Sequence, residues 1–267
     1  MSPKPFPGRS VRKAALDVTR NNLIEYCRAL DADQWLQPSK AEGWSVKDVV
    51  AHLGGSCRVI FSPGSAAMMT TDDIEDWNEK AVAQRREWPS WKVLDEFETW
   101  SRRAITLGNA VSLTPMAHAR VPVGEIGTYP VGHLMAGAPV FDQFTHLHHD
   151  IAPAVGQTAP RPSTDQLEVA VAWMVAVLAN QLRKAPMAWV GGPVNLELTG
   201  PGGAAMHITS GGLLKAGASW AHAATITAGA ESFVSWGTKR TAWKDGKVEL
   251  GGDESLAARV LDGINVV

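Results

Sequence analysis

The spacing of the apolar residues changes once along this chain, and that change constrains its fold more than any single motif does. Over 11–30 the residues Ala15, Val18, Leu23, Cys27 and Leu30 recur at steps of three to five, the stripe of an amphipathic helix. After one more strong helix over 164–184, the pattern shortens to 195–198, 205–209 and 223–227, alternating or β-branched runs parted by Gly-rich turns. Residues 256–261 suggest a closing helix. A length of 267 residues exceeds what one core comfortably serves, so an α+β protein of two domains is expected. The stretch 156–163, with Pro160 and Pro162, has the composition of a linker, which gives a helical domain over 1–155 and a smaller α+β domain over 163–267.

Within the first part, 31–43 reads as a connecting loop, and a second helix starts at Ser45. Asp48 follows three residues later, a capping-box-like pair, and the stripe runs Val46, Val49, Val50, Leu53, Cys57, Ile60 before Pro63 and Gly64 end it. Further helices are predicted over 72–86 and, after Pro89 and Ser90, over 91–107. The segment 112–138 carries Pro115, Pro122, Gly124, Gly127, Pro130, Gly132 and Gly137 without a sustained period, so a long functional loop is expected, with Pro139 opening a last helix to about 152.

A formal charge of -2, with 45% hydrophobic and 19% charged residues, is that of an ordinary soluble globular chain and offers nothing to a nucleic acid. No apolar run approaches the roughly 20 residues that cross a membrane, and residues 1–9 hold no apolar core of a signal peptide. Cys27 and Cys57, the only cysteines, form no CxxC and fall in helical stripes, which points to a reduced, cytoplasmic compartment and to core packing rather than nucleophilic roles.

The residues able to carry chemistry cluster in two places. His52 lies one turn after Asp48, at the edge of its helix's apolar stripe, where a helix lines a cavity or pairs with its own neighbour at the surface. The segment Phe141-Asp142-Gln143-Phe144-Thr145-His146-Leu147-His148-His149-Asp150 is the densest set of potential ligands. Asp142 and His146 are four apart, as are His146 and Asp150, so one helix face can present a carboxylate and an imidazole together. Two ligands one turn apart are a common way to hold Zn²⁺, with His52 available as a third and a fourth position open; the bland alternative is a polar helix face rich in histidine. His118 and His133 in the long loop are weaker candidates for substrate contact, and His207 and His222 fit surface positions among the strands. Gly54-Gly55 and Gly200-Pro201-Gly202-Gly203 match no phosphate loop and read as turns or helix-packing glycines.

The stretch Gly43-Trp44-Ser45-Val46-Lys47-Asp48-Val49-Val50-Ala51-His52-Leu53-Gly54 resembles the GW-[ST]-xxD-xxxHL segment of the mycothiol-dependent maleylpyruvate isomerase family, within the wider DinB-like set. The ending from Asp150-Ile151 to Gly156, the Asn195-Leu196-Glu197-Leu198 strand and Trp236-Gly237-Thr238-Lys239-Arg240 extend the resemblance over most of the chain. It implies a DinB-like four-helix bundle binding one divalent metal, usually zinc, through His52, Asp142 and His146, followed by the smaller α+β domain. Many members read Glu-xxx-His-xx-Asp, whereas here Asp142 replaces Glu and His146 precedes Asp150 by four. Anchoring on Asp150 instead would align Gln143 and Leu147, which cannot ligate together, leaving His149 as the fallback; the chemistry favours Asp142 and His146. Mycothiol is implied as the cosubstrate thiol, a small electrophile as the other partner, and Arg240 as a residue that anchors a substrate carboxylate. A metal-dependent hydrolase using the same ligands, or a non-catalytic binding protein with a degenerate site, are the competing expectations.

Overall fold

The computed structural model describes residues 4–266, which divide into two compact units, one comprising Arg12–Gln166 and the other the residues through Val11 together with those from Leu167 onward.

The Arg12–Gln166 unit is helical. Its elements are α1 (Arg9–Arg28), α2 (Ala32–Leu36), α3 (Val46–Val59), α4 (Gly64–Thr70), α5 (Ile74–Ala83) and α6 (Ser90–Val111). A 3-10 turn (Pro115–His118), a hairpin of β1 (Arg120–Val123) and β2 (Gly127–Pro130), α7 (Val131–Thr145) and a π-helix (His146–Ile151) follow. Ser45 begins α3 as expected: its side chain accepts from the Asp48 N–H while the Asp48 carboxylate accepts from the Ser45 N–H, a full capping box. The buried stripes of α1 (Leu23, Ile24, Cys27), α3 (Val46, Val49, Val50, Leu53) and α6 (Val93, Phe97) meet Leu147 and Ile151 of the π-helix in one core.

The absence of a side chain at Gly54 and Gly55 lets α3 approach its neighbours closely. A Cβ at Gly54 would stand 3.2 Å from the Phe97 backbone nitrogen of α6, and one at Gly55 would stand 3.4 Å from Cζ of Arg85. That arginine, 6% exposed, is paired with the equally buried Glu96 through Nε–Oε2 at 2.5 Å and Nη2–Oε1 at 3.0 Å. The two glycines are thus packing residues.

The expected long loop over 112–138 is not a loop. It holds the 3-10 turn, the hairpin and the first half of α7, which starts at Val131 with Pro139 inside it. An internal proline removes one helical hydrogen bond and crowds the carbonyl four residues back, so it reads as a start signal in sequence even where packing carries the helix through. Gly132 permits close packing on the 3-10 turn, since a Cβ there would lie 3.2 Å from the Ala117 carbonyl. Gly124, at φ +45°, turns the hairpin against α4, where its N–H donates to the Met69 carbonyl at 3.1 Å. The short α2 and α4 lie in the expected loop and at the expected end of the second helix, because one or two turns are too few to establish a period.

The other unit is built on α8 (Thr164–Lys184), which is buried on all sides from Val169 to Ala179. The sheet strands are β3 (Val194–Thr199), β4 (Ala204–Ile208), β5 (Leu214–Ala216), β6 (Ala224–Gly229) and β7 (Glu249–Gly252), with α9 (Ala230–Gly237) and α10 (Glu254–Gly263) beside them. The strand order is β5-β4-β3-β6-β7, with β3 and β6 parallel at the centre and the other pairs antiparallel. Register places Ile208, Val194 and Ala224 in one row and Met206, Leu196 and Ile226 in the next, all buried on the face that meets the core. Gly200 and Gly202, both near φ +80°, make the β3–β4 turn. This is the α+β arrangement expected, a helical part followed by a part with a mixed sheet. No described helix is long and apolar enough to cross a membrane.

Candidate metal centre

His52 reaches the site from the middle of α3, and Asp142 and His146 from the end of α7 and the first residue of the π-helix. His52 Nε2 lies 3.2 Å from Asp142 Oδ2, and His146 Nε2 lies 3.3 Å from Asp142 Oδ1. One ligand atom from each of the three falls within 4.8 Å of the others, and among the described residues this is the one such group. The imidazoles meet edge to face with centroids 5.3 Å apart.

The donor set suits a divalent metal. Two imidazole nitrogens and a carboxylate oxygen are a usual three-residue zinc set with one position left for an exogenous ligand. Bonds of about 2.1 Å in a tetrahedron separate neighbouring ligand atoms by roughly 3.4 Å. The two nitrogen–oxygen separations here have that size but run to the two different oxygens of Asp142, so each imidazole addresses its own carboxylate oxygen.

His52 is 7% exposed, deeper than an edge-of-stripe position suggests, because the Trp44 indole packs over it with centroids 5.2 Å apart. Trp44 is itself fixed by Nε1–H donating to Glu79 Oε2 at 2.8 Å, and Glu79 pairs with Arg86 at 2.7 Å. The Asp48 carboxylate is committed to the Ser45 N–H and hydroxyl at 3.0 and 2.8 Å, so the alternative of an Asp48–His52 surface pair is not what forms.

Of the two registers across 142–150, it is Asp142 and His146 that stand together with His52. Gln143 and Leu147 are 4% and 1% exposed, and Leu147 belongs to the hydrophobic core. The π-helix holds about one residue more per turn than an α-helix, and the Ala152 N–H bonds the Leu147 carbonyl five residues back at 3.0 Å. Such a turn accommodates the additional residue between His146 and Asp150. His148 is taken up by the Phe144 and Pro160 carbonyls, each at 2.9 Å, and His149 lies edge-on to the Phe144 ring at 6.4 Å; neither belongs to the group.

Asp142 and His146 hold each other's charge. For Asp142, burial favours the neutral acid, but the charge and hydrogen bonds of His52 and His146 outweigh it and hold the carboxyl well below its usual range. For His146, burial favours the neutral ring, yet hydrogen bonds and charge from Asp142 and Asp150 push the pKa up to about 9. Asp150, buried at 1% exposure with Oδ2 2.7 Å from His146 Nδ1, is a partner whose role the i,i+4 spacing signalled and the sequence alone left unassigned.

The remaining candidates lie elsewhere. Arg240 belongs to the other unit, in the turn after α9, half-buried with its N–H bonded to the Ser235 carbonyl at 3.1 Å. His133 sits in the first turn of α7, more than two turns before Asp142; burial, then Arg12, Arg120 and His118, depress its pKa to about 4. Cys27 and Cys57 are both buried and free, with thiols pushed up to about 12 by burial.

Comparison with known proteins adds an independent line. The family described as the mycothiol maleylpyruvate isomerase N-terminal domain matches residues 16–152, and the MDMPI C-terminal domain matches residues 154–259. A crystal structure of the mycothiol-dependent maleylpyruvate isomerase is similar in fold at a TM-score of 0.58 and 14% identity, covering 92% of this chain and 93% of that one. A histidine-to-alanine mutant of that enzyme gives 0.55 and 12% over the same shares. No curated protein matches the chain in sequence.

Proposed function

This chain belongs to the mycothiol-dependent maleylpyruvate isomerase family of enzymes, and on that premise we propose that it is a metal-dependent, mycothiol-using isomerase or S-transferase acting on a small electrophile, with His52, Asp142 and His146 as the metal ligands. The observation that carries this proposal is the convergence of those three side chains from α3, α7 and the π-helix on one point. Zinc suits the donor set best. A divalent metal held there would lower the pKa of a coordinated thiol and so supply a nucleophile at neutral pH.

The chain's own residues prepare that site. With a metal bound, His52 and His146 would supply nitrogen donors and Asp142 a negative oxygen that offsets part of the cation's charge. Asp142, with its side chain 31% exposed against 8% and 10% for His52 and His146, marks the side from which small molecules enter. Trp44 walls the His52 side and is itself held by Glu79. Neither protein cysteine competes as nucleophile, since both thiols are buried and protonated. Arg240 is proposed, as a separable part, to hold a substrate carboxylate through its planar guanidinium. Arg240→Ala should then raise KM for a carboxylate-bearing substrate more than it lowers kcat.

Metal analysis of the purified protein beside His52→Ala and His146→Ala is the test. Stoichiometric zinc in the wild type and its loss from both variants is the expected result, together with electrophile consumption only when mycothiol is supplied. Full zinc in both variants overturns the ligand set. Turnover without thiol overturns the thiol in favour of a metal-activated water.

A further inference from the structure

Asp142 and Asp150 stand at the same i,i+4 distance from His146, on opposite sides, yet the structure treats them differently. Asp142 is partly open to solvent, its two oxygens divided between His52 and His146. Asp150 is 1% exposed and addresses the other ring nitrogen, with Oδ2 2.7 Å from Nδ1. Its backbone is pinned from outside the helix as well, since the Lys40 N–H donates to the Asp150 carbonyl at 3.1 Å. The Ala152-to-Leu147 bond closes the π turn that carries the residue.

We propose that Asp150 is a positioning residue that fixes the His146 ring by accepting a hydrogen bond from Nδ1–H, and so commits the Nε2 lone pair to the point shared with His52 and Asp142. This rests on the metal-site proposal above. An imidazole has two nitrogens, and the partner of one decides which is offered to a metal; such carboxylate partners set ring orientation and donor strength. Asp150 suits the role because it is buried and its backbone is fixed, so it does not swing out to solvent. Asp142 suits the ligand role for the opposite reason. The wider π turn lets His146 and Asp150 face the site while Leu147 and Ile151, at 1% and 0% exposure, fill the core.

Two measurements test this. Nitrogen-15 NMR of histidine-labelled, zinc-loaded wild type distinguishes the metal-bound nitrogen of His146 from the protonated one; the expected result is Nε2 on the metal and a proton retained on Nδ1. Coordination through Nδ1 overturns the proposal without any variant having to fold. Chelator competition then compares zinc affinity of wild type and Asp150→Asn, whose amide can present N–H to Nδ1 and favour the wrong tautomer; a loss of about 10- to 100-fold is expected, and a change within about twofold overturns the proposal. A wild type that takes up no zinc refutes the metal-site proposal instead. In that case the spectrum of the metal-free protein decides about Asp150: an His146 Nδ1–H resonance that is unmoved in Asp150→Asn overturns its role.

Discussion

In the metal-free protein, the His146 ring stands between two carboxylates that push its pKa up to about 9 against the pull of burial. At neutral pH, Nε2 therefore carries a proton that an incoming metal must displace. Zinc affinity should accordingly strengthen about tenfold per pH unit between roughly pH 7 and 8.5, because each unit removes about 1.4 kcal/mol of deprotonation cost. Folding stability of the metal-free protein moves the other way. The folded pKa is raised above an unfolded value near 6.5, so the stabilisation is fully present below about pH 6.5 and is lost as the pH climbs towards 9. That difference corresponds to an effect on the order of 3 kcal/mol, shared with Asp142 and not to be counted again for it. Chelator competition and urea midpoints at several values across roughly pH 6.5–8.5 measure both curves. An affinity that is flat with pH, beside a stability that falls, means the metal does not use His146. Two flat curves mean that the carboxylates do not hold the proton, and the electrostatic reasoning fails.

Three further outcomes follow from packing and burial. Glu96→Ala leaves the buried Arg85 guanidinium without its carboxylate and should cost about 3–5 kcal/mol in urea unfolding, whereas Arg85→Met combined with Glu96→Leu should regain most of it; a single-variant loss under about 1 kcal/mol refutes the pairing's importance. Gly54→Val would place Cβ 3.2 Å from the Phe97 backbone nitrogen and force α3 from α6, a destabilisation of about 1–3 kcal/mol, with an unchanged midpoint as the contrary result. Both thiols, pushed up to about 12, should resist a thiol reagent near pH 8 in the native protein and react only in denaturant; prompt labelling of the native state contradicts their burial.

Much of the chain was legible before the structure. The stripes of α1 and α3 and the runs that became β3, β4 and β6 each carried a period long enough to read, the Ser45–Asp48 cap marked where α3 begins, and Pro89-Ser90 marked the start of α6. The elements missed share a physical cause. The helices α2, α4 and α9 are only one or two turns long and the edge strands β5 and β7 three or four residues, and α7 contains a proline and glycines whose role is set by what packs against them. At the site, spacing put Asp142, His146 and Asp150 on one helix side but could not say which carboxylate was open and which sealed.

Sequence alone determined the local matters: which segments are helical or extended, where α3 is capped, and that imidazoles and carboxylates recur one turn apart. Those depend on residues within a few positions of each other. Tertiary structure decided that His52, ninety residues before Asp142, meets it at 3.2 Å, that a π turn spans His146 to Asp150, and that Trp44, held by Glu79, covers His52. These depend on how α3, α5 and α7 pack, and a helix face acquires a partner only when another element is laid against it.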